Sequence, residues 1–379
     1  MTKRERLLAT LNGKPVDRPP VSFYGIGGRK LDPDDQDPFN VYNDPSWRPL
    51  IRLAEEETDI IRICPPILTS ASPSCQSEYC STDEYLKDGS RFVRTTINVA
   101  GRKLTSLTRQ DPEIDTLWTL EHLLKDLDDL DAYLQLPDEF LAMHADASNL
   151  IKAEADLGER GIVIQDTADP ICIAAGLFDM ADYTVIALTE QELFHKLLEK
   201  VSRPIYSVIE EAISQSPSRM WRICGPEYAA EPYLPPRLFD EYVVRYTMPI
   251  VDLIHGGGGF ARIHCHGRLK NILPSIVRMG TDALDPIEPP QQGDVELAYV
   301  RKEYGRDLVL MGNLESSDIE NMPTLEFEKV VARSLREGTD GEGRGFVLMP
   351  SAEPYGRMIT AQTMANYETI IRSATSWAM

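Results

Sequence analysis

The sequence predicts an α/β protein, a (β/α)8 TIM barrel with an inserted β-hairpin and an N-terminal helical extension. Between residues 220 and 377, five β-strand patterns alternate with five helical patterns, an order that requires a parallel sheet. Three earlier apolar runs, near Val21, Asp59 and Ile162, bring the number of strands to eight. A doubly wound sheet would need a glycine-rich phosphate turn after an early strand, and the sequence has none. We therefore expect residues 1–379 to form a single barrel domain.

The first half of the chain contains the extension, the insertion and three of the strands. Leucines at helical spacing follow Thr2, a capping residue, and end before Gly13, which predicts an N-terminal helix. The segment 25–44 is rich in Gly, Pro and Asp, and loops of this length are often functional. Alternating β-formers on either side of Ala100-Gly101 predict the hairpin, inside an insertion at about 77–115. The predicted elements are, in order, a helix over 2–13, strands over 21–24 and 59–67, the hairpin over 91–109, helical segments over 120–136 and 138–156, a strand over 162–165 and a helical stretch over 180–214.

The second half of the chain has a regular rhythm in which each strand is followed by a helix. Short apolar runs rich in β-branched residues predict the strands, and longer amphipathic segments predict the helices. The predicted pairs are 220–224 with 236–255, 260–265 with 269–279, 283–287 with 295–304, 308–311 with 324–336, and 346–349 with 360–377.

Composition excludes several functional classes. Sixty acidic against 39 basic residues give a net charge of −21, which repels phosphate backbones and argues against nucleic-acid binding. The sequence lacks a run of about eighteen apolar residues and a signal peptide, so we expect no membrane association and a cytoplasmic location. Six cysteines without a CxxC pair predict reduced thiols. The expected partners are a small-molecule substrate and, as one option, a second copy of the chain in a homodimer.

Ionisable residues follow the predicted strands of the second half. In barrels of this class the active site lies where the strands end and the loops to the helices begin. The candidates at these positions are Glu227 and Tyr228 after the fourth strand, His264 and His266 at the fifth, Glu288 after the sixth, Asn313 and Glu315 at the seventh, and Glu353 after the eighth.

The His264-Cys265-His266 segment is the sharpest motif. Side chains alternate along a strand, so the two imidazoles share one face and Cys265 points to the other. Such a pair can chelate a divalent metal with Glu288 or Glu227, which makes His264, His266 and Glu288 the predicted metal ligands. The alternative is a polar pocket in which these residues act as acid/base groups without a metal. Both interpretations make Glu227, His264, His266 and Glu288 the candidate catalytic residues.

Arg262 lies on the histidine face, two residues farther into the barrel. A barrel interior cannot hold an unpaired guanidinium, so Arg262 needs an acid such as Asp285 or Glu227. It forms either a structural ion pair or a substrate contact. The other candidate substrate-binding residues have alternatives of their own, because Tyr228 can be a packing residue and Asn313 can be a helix cap. The predicted substrate-binding residues from this pattern are Tyr228, Arg262, Asn313, Glu315 and Glu353.

Three stretches resemble the uroporphyrinogen decarboxylase superfamily. They are TKRERLLATLNGKPVDRPPV with the following SFYGIGGRKL, HCHGRL with MGTDALDPIEPP, and YGRDLVLMGNLE. The resemblance implies a (β/α)8 barrel with one of two activities. One group of members decarboxylates the acetate arms of uroporphyrinogen without a cofactor. The other transfers methyl groups between a corrinoid protein and a thiol such as coenzyme M, with zinc held by His-x-Cys and a later Cys.

The chain departs from both family patterns, and it departs more from the decarboxylase. Arg29 matches the second arginine of the decarboxylase loop and becomes a predicted substrate contact, but Gly25 stands at the first. The family's aspartate after the second strand and its late histidine have no counterpart. In the methyltransferase pattern His264 matches, whereas His266 occupies the cysteine position and Ser351 or Glu353 lies near the later cysteine.

The sequence therefore favours methyl transfer in a corrinoid-dependent system. The cofactors that this implies are Zn2+ and a corrinoid carried by a partner protein. Two alternatives stay open: a uroporphyrinogen decarboxylase of tetrapyrrole biosynthesis, and a barrel that binds a small molecule without catalysis.

Overall fold

A curled parallel sheet of seven strands forms the centre of the computed structural model, which describes residues 1–216 and 220–377. The strands are β1 (Ile60–Ile63), β2 (Ile67–Ser70), β3 (Cys80–Lys87), β4 (Ser90–Val99), β5 (Arg102–Gln110), β6 (Leu117–Glu121), β7 (Met143–Asp146), β8 (Gly161–Ala168), β9 (Met220–Cys224), β10 (Phe260–His264), β11 (Ala283–Asp285), β12 (Val309–Leu314) and β13 (Phe346–Pro350). The parallel sheet has the order β1-β8-β9-β10-β11-β12-β13. The five β-then-α repeats of the second half are confirmed in that order.

Helices connect and cover these strands. They are α1 (Lys3–Leu11), α2 (Gly25–Gly28), α3 (Trp47–Glu57), α4 (Pro73–Tyr79), α5 (Leu127–Leu134), α6 (Asp138–Leu141), α7 (Ser148–Leu157), α8 (Pro170–Gly176), α9 (Met180–Thr189), α10 (Gln191–Gln215), α11 (Pro236–Phe239), α12 (Arg245–Gly256), α13 (Leu273–Arg278), α14 (Leu297–Tyr304), α15 (Ser316–Asn321), α16 (Thr324–Thr339) and α17 (Ala361–Thr375). Within the described ranges no single helix is long and apolar enough to span a membrane, although α8 and α9 pass that test together across a bend of 119°.

The predicted eighth strand, over 21–24, is a short bridging segment instead. The amide of Ser22 donates to the carbonyl of Leu348 in β13 at 3.1 Å, and the amide of Asp59 donates to the carbonyl of Val21 at 2.7 Å. The segment thus lies between the two edge strands. Pro20 supplies no amide to a ladder, and Tyr24 has a φ of 57°, outside the extended region. The two residues limit the strand to an isolated bridge.

The N-terminal helix is confirmed and covers one end of the sheet. Thr2 and Glu5 form a reciprocal capping box at the start of α1. Arg4 donates to the carbonyl of Gly161, the first residue of β8, at 3.1 Å. Leu7 and Leu11 of α1 belong to the apolar cluster inside the sheet. Because α1 occupies the end where the strands begin, the opposite end is open to form a site.

The insertion is larger than a hairpin. The predicted hairpin is confirmed as β4 and β5 around Ala100-Gly101, where both residues have positive φ, but it forms the middle of a four-stranded antiparallel sheet, β3-β4-β5-β6. The helix predicted over 120–136 is wrong in its first part, which belongs to β6. The helix begins only after Asp126, whose side chain caps α5.

Two other helical predictions are interrupted by tertiary contacts. The segment 138–156 contains β7, which pairs with β2. Side chains of α10 hold this strand, because Glu211 accepts from the amide of Ala145 at 2.8 Å and Gln215 accepts from the amide of Ala147 at 3.0 Å. Such bonds override the local helical preference of the segment. The stretch 180–214 is divided into α9 and α10.

Asp169, the cap of α8, should make stability fall as the pH rises. It accepts from the amide of Ile171 at 3.0 Å and from the hydroxyl of Thr247, and it is fully buried. Burial raises its pKa to about 7, with a contribution from the charge of Glu227. Between about pH 4 and pH 7 the folded state therefore holds a proton that the unfolded chain releases, which lowers the free energy of unfolding with rising pH.

Asp169→Asn keeps a capping side chain but removes this ionisation. Its free energy of unfolding, measured in urea, should increase relative to that of the parent protein from pH 5 to pH 8. Asp179→Asn, at the exposed cap of α9, is the matched control for loss of a capping charge. A difference in the free energy of unfolding between Asp169→Asn and the parent protein that stays constant with pH would contradict the prediction.

Candidate active site

Arg262 and Asp285 form a buried ion pair beneath the open end of the sheet. The Nε and Nη2 atoms of Arg262 donate to the two carboxylate oxygens of Asp285, and the side chains are 2% and 0% exposed. Burial disfavours a charged carboxylate, but the charges and hydrogen bonds of Arg262 and His264 hold the pKa of Asp285 well below its usual range. Arg262 is thus directed to Asp285, which favours the structural alternative, and its role as a substrate contact stays a prediction.

His264 and His266, called here the imidazole pair, meet above this ion pair. Their Nε2 atoms are 3.1 Å apart and their ring planes are nearly perpendicular. Each ring has a carboxylate behind it: Nδ1 of His264 lies 2.8 Å from Asp285, and Nδ1 of His266 lies 2.9 Å from Glu288. Both Nδ1 atoms therefore donate to carboxylates, and the two Nε2 atoms face each other across a gap that one proton can bridge.

The two imidazoles differ in their affinity for a proton. Burial lowers the pKa of His264, against the charge of Asp285. Burial also opposes ionisation of His266, but the hydrogen bond and charge of Glu288, with the charge of Glu227, raise the pKa of His266. His266 therefore binds a proton more readily than His264, and a proton shared by the two Nε2 atoms would reside on His266.

Glu288 lies behind His266 rather than beside the converging nitrogens. Its Oε1 contacts Nδ1 of His266, and its Oε2 accepts from the amide of Gly267 at 2.7 Å. Both oxygens have a partner, so in this arrangement Glu288 orients the ring of His266, and its role as a metal ligand stays a prediction. Carboxylates behind ligating histidines are typical of zinc sites.

The fit of a metal to this arrangement is therefore partial. In the part of the chain that the structure describes, no three His, Cys, Asp or Glu side chains are grouped to hold a metal ion. The imidazole pair offers two nitrogen ligands with a suitable separation and suitable carboxylates behind them. Catalytic zinc sites usually have a third protein ligand, and the described residues do not supply it in this arrangement.

Three predicted acids and the predicted amide Asn313 also lie at this end of the sheet. Glu227, Asn313, Glu315 and Glu353 each have one buried side-chain oxygen without a hydrogen-bond partner among the described residues. Burial raises the pKa of Glu315 to about 7 and also raises the pKa of Glu227 and of Glu353. Buried polar atoms are costly unless they are paired, so these oxygens are available to a bound molecule.

Arg29 reaches the same end but is paired. Its Nη1 atom lies 2.8 Å from Oε1 of Glu353, and its side chain is about half exposed. A Cβ atom at Gly25 would overlap the carboxylate of Glu353. Glu353 therefore fills the space beside Gly25 and pairs with Arg29, so this arginine is not free for an acidic substrate.

Gly25→Ala should displace Glu353 and break its ion pair with Arg29. We expect a loss of about 1–3 kcal/mol in the free energy of unfolding, the usual cost of overpacking. In a double-mutant cycle the same change should cost less in a Glu353→Ala background, because the overlapping atoms are then absent. Equal costs in both backgrounds, measured by urea unfolding, would show that Glu353 is not what restricts this position.

Two residues of the site were missed by the sequence interpretation. The hydroxyl of Tyr24 lies 3.3 Å from Nε2 of His264, and Arg222 donates to that hydroxyl at 2.6 Å. Arg222 also forms a two-bond ion pair with Asp166. A signal for Arg222 existed, since it is in register with Arg262 on the neighbouring strand. Tyr24 had no such signal, because its position depends on the turn at positive φ.

Tyr228 lies at the edge of this group. Its carbonyl accepts from the hydroxyl of Tyr183 at 2.7 Å, and the two rings pack edge to face. These contacts favour the packing alternative for Tyr228. His264, His266 and Glu288 meet as the strand ends predict, whereas the roles of Glu227, Asn313, Glu315 and Glu353 stay predictions.

Comparisons with known proteins concern the family and the fold of this chain. A family model described as uroporphyrinogen decarboxylase (URO-D) matches residues 98–372. Among solved structures, a methyltransferase from Methanosarcina mazei is similar over 99% of this chain and 98% of its own, with 14% identity and a TM-score of 0.61. A D-psicose 3-epimerase from Clostridium cellulolyticum H10 is similar over 61% of this chain and 91% of its own, with 10% identity and a TM-score of 0.32. No curated protein matches the chain.

The family match covers well over half of the chain, including every strand of the parallel sheet except β1. The methyltransferase likeness extends over nearly the whole of both chains and supports the fold. The resemblance that the sequence motifs indicated is thereby confirmed. The chain belongs to the uroporphyrinogen decarboxylase (URO-D) family.

Proposed function

We propose that this protein is a methyltransferase that acts in a corrinoid-dependent system, with the imidazole pair at its reaction centre. The observation that carries the proposal is the convergence of two Nε2 atoms at 3.1 Å, each on a ring backed by a carboxylate. A polar group of this kind at the carboxyl ends of parallel strands is where such folds perform chemistry. The whole-chain likeness to a methyltransferase is consistent with it.

The imidazole pair is suited to the proton balance of the reaction. When a methyl group passes from its carrier to a thiol, the carrier–carbon bond breaks, the sulfur–carbon bond forms and the thiol loses its proton. In the form without a proton between its two Nε2 atoms, the pair is placed to accept that proton, because Asp285 and Glu288 stabilise positive charge on the two rings. Glu227 and Glu315 have free oxygens to orient the substrates.

Zinc is the metal that the methyltransferase branch of the family implies. The Nε2 atoms of His264 and His266 are the atoms that would hold it. Bound there, it would supply a Lewis acid that lowers the pKa of an acceptor thiol.

Decarboxylation of uroporphyrinogen is less well supported by the site. An octacarboxylate substrate needs clustered cations, but Arg29 is paired with Glu353, Arg222 with Asp166 and Arg262 with Asp285. The unpaired oxygens at this end of the sheet belong to acids and an amide. The local field therefore has the wrong sign for such a substrate.

The test is a pair of assays on the purified protein. Methylcobalamin with a panel of thiols should show cobalamin demethylation, which is followed by its absorbance. His264→Ala and His266→Ala should reduce the rate by at least about 10²-fold, whereas His255→Ala, which removes a histidine paired with Asp282 away from the site, should not. Metal analysis of untagged protein should show zinc that the first two variants lose. Coproporphyrinogen formation from uroporphyrinogen without cobalamin demethylation would overturn the proposal, and tight ligand binding without turnover would favour a non-catalytic barrel.

A further inference from the structure

A cavity of about 350 Å3 lies at the opposite end of the sheet from the imidazole pair. Phe346, the first residue of β13, is part of its wall, so the cavity is at the amino end of the strands. The rest of the wall comes from the turn after α1, from α14 and from the glycine-rich loop between α16 and β13. The residues of this amino-end cavity used below are Lys14, Arg301, Gly341, Glu342, Gly343 and Arg344.

Arg301 is a buried cation in this wall without an ion-pair partner. It is 9% exposed, and it forms no salt bridge with any acid of the described residues. Its Nε atom donates to the carbonyl of Asp340 at 2.8 Å, and its Nη1 atom donates to the carbonyl of Arg344. Burial lowers the pKa of Arg301, against the charge of the Asp340 side chain. Buried charges are costly unless they are paired, so this guanidinium lacks a counter-ion.

The walls of the amino-end cavity contain unpaired hydrogen-bond donors from three segments. The Nη2 atom of Arg301 donates to no group of the described residues, and it is not among their fully enclosed unpaired atoms. The ammonium group of Lys14 is exposed and has no ionic partner in the described part of the chain. The backbone amides of Gly341, Glu342 and Gly343 have no acceptor there either. A bound molecule with several acceptor atoms can therefore use donors from all three segments.

The other charged groups of the wall are engaged elsewhere. The side chain of Glu342 is 93% exposed and lies 3.8 Å from Arg306. Arg344 pairs with Asp282 at 3.2 Å and donates to the carbonyl of Leu11 at 2.8 Å. The wall thus has three cations and one acid, although the chain as a whole has a net charge of −21. A local excess of cations in a concave surface favours an anionic ligand.

We propose that the amino-end cavity is a second binding site, separate from the reaction centre, and that it binds a phosphate group. A phosphate group supplies the counter-ion that Arg301 lacks, and its three free oxygens match donors from three segments better than the two oxygens of a carboxylate do. Backbone amides of glycine-rich loops are common phosphate ligands. The volume also leaves room for the organic part of a small phosphate ester. The inference does not depend on the proposed function.

Isothermal titration calorimetry with inorganic phosphate and with glycerol 1-phosphate is the first test. Arg301→Met should weaken the binding by at least about tenfold, the effect of one hydrogen bond to a charged group. Lys14→Ala, an exposed change that leaves the fold intact, should weaken it by about threefold. Lys302→Ala is the matched control, because Lys302 follows Arg301 on α14, is 82% exposed and lies outside the cavity wall.

The two probes distinguish the sources of the phosphate group. Tighter binding of glycerol 1-phosphate assigns the site to phosphorylated small molecules, and tighter binding of inorganic phosphate assigns it to the free ion. Binding of neither probe would overturn the proposal. Binding that neither Arg301→Met nor Lys14→Ala weakens would also overturn it.

A second measurement uses the parent protein and does not depend on the folding of a variant. In protein labelled with 15N-glycine, the tighter-binding probe should shift the amide resonances of Gly341 and Gly343. The resonances of Gly89 and Gly101, in two turns of the insertion, should stay unchanged. A shift of neither pair, or of both pairs, would overturn the site. These readouts involve no turnover, so failure of the proposed methyl transfer would leave them unaffected.

Discussion

Arg262→Ala is expected to lower the free energy of unfolding by about 3–5 kcal/mol, the cost of removing one partner of a buried ion pair. The change leaves the Asp285 carboxylate, which is fully buried, without its guanidinium partner. Water cannot replace that partner without opening the inside of the sheet, because Arg262 is surrounded by apolar residues such as Met349. Urea unfolding followed by circular dichroism measures the loss.

Two comparison variants make this prediction specific. Arg262→Met with Asp285→Asn removes both charges and should recover a large part of the stability, since no unpaired ion is left. Arg278→Ala breaks the ion pair with Asp240, whose side chains are about half exposed, and should cost less than about 1 kcal/mol. If Arg262→Ala costs no more than Arg278→Ala, the buried pair does not support the fold as described.

His266→Ala is expected to reduce the rate of methyl transfer by about 10²–10⁴-fold, the usual contribution of a positioned acid/base group. The variant removes one of the two converging nitrogens and leaves Glu288 without its imidazole. Its stability should change little, because the side chain of His266 is 37% exposed. Cobalamin demethylation at saturating thiol, with the urea midpoint measured in parallel, separates loss of chemistry from loss of fold.

His266→Gln is the conservative comparison. Glutamine can hydrogen-bond to Glu288 but cannot carry the bridging proton or bind a metal as imidazole does. Its rate should therefore fall nearly as far as that of the alanine variant, while its fold is retained. A rate within threefold of the parent protein in either variant would remove His266 from the reaction centre.

The second half of the fold could be predicted from the sequence because each strand is followed directly by its helix. Each strand from β9 to β13 is a short apolar run followed by an amphipathic helix, and this alternation leaves few topologies. The first half was harder to predict because contacts between segments far apart in the sequence determine its structure. β7 is a strand because β2 and the side chains of α10 hold it, and none of these lies near it in the sequence.

The candidate site likewise contains residues whose placement the sequence predicts and residues whose placement it does not. The two-residue period of one strand places His264 and His266 on a shared face. It also places Arg262 on that face, farther inside, where it needs an acid such as Asp285. The position of Glu288 behind His266 depends on how β10 and the segment after β11 align, which the spacing in the sequence does not specify. Tyr24 enters the site from the other end of the chain, so only the three-dimensional structure reveals it.

The close packing of Gly25 and Glu353 has a consequence for how this protein can evolve. An acid-binding loop of the decarboxylase type would need a cationic side chain at position 25, and that side chain would have to displace the carboxylate of Glu353. Loss of Glu353 alone frees Arg29 without supplying the second cation. A substitution at either position therefore changes the effect of a substitution at the other, and we expect the two positions to be coupled in evolution.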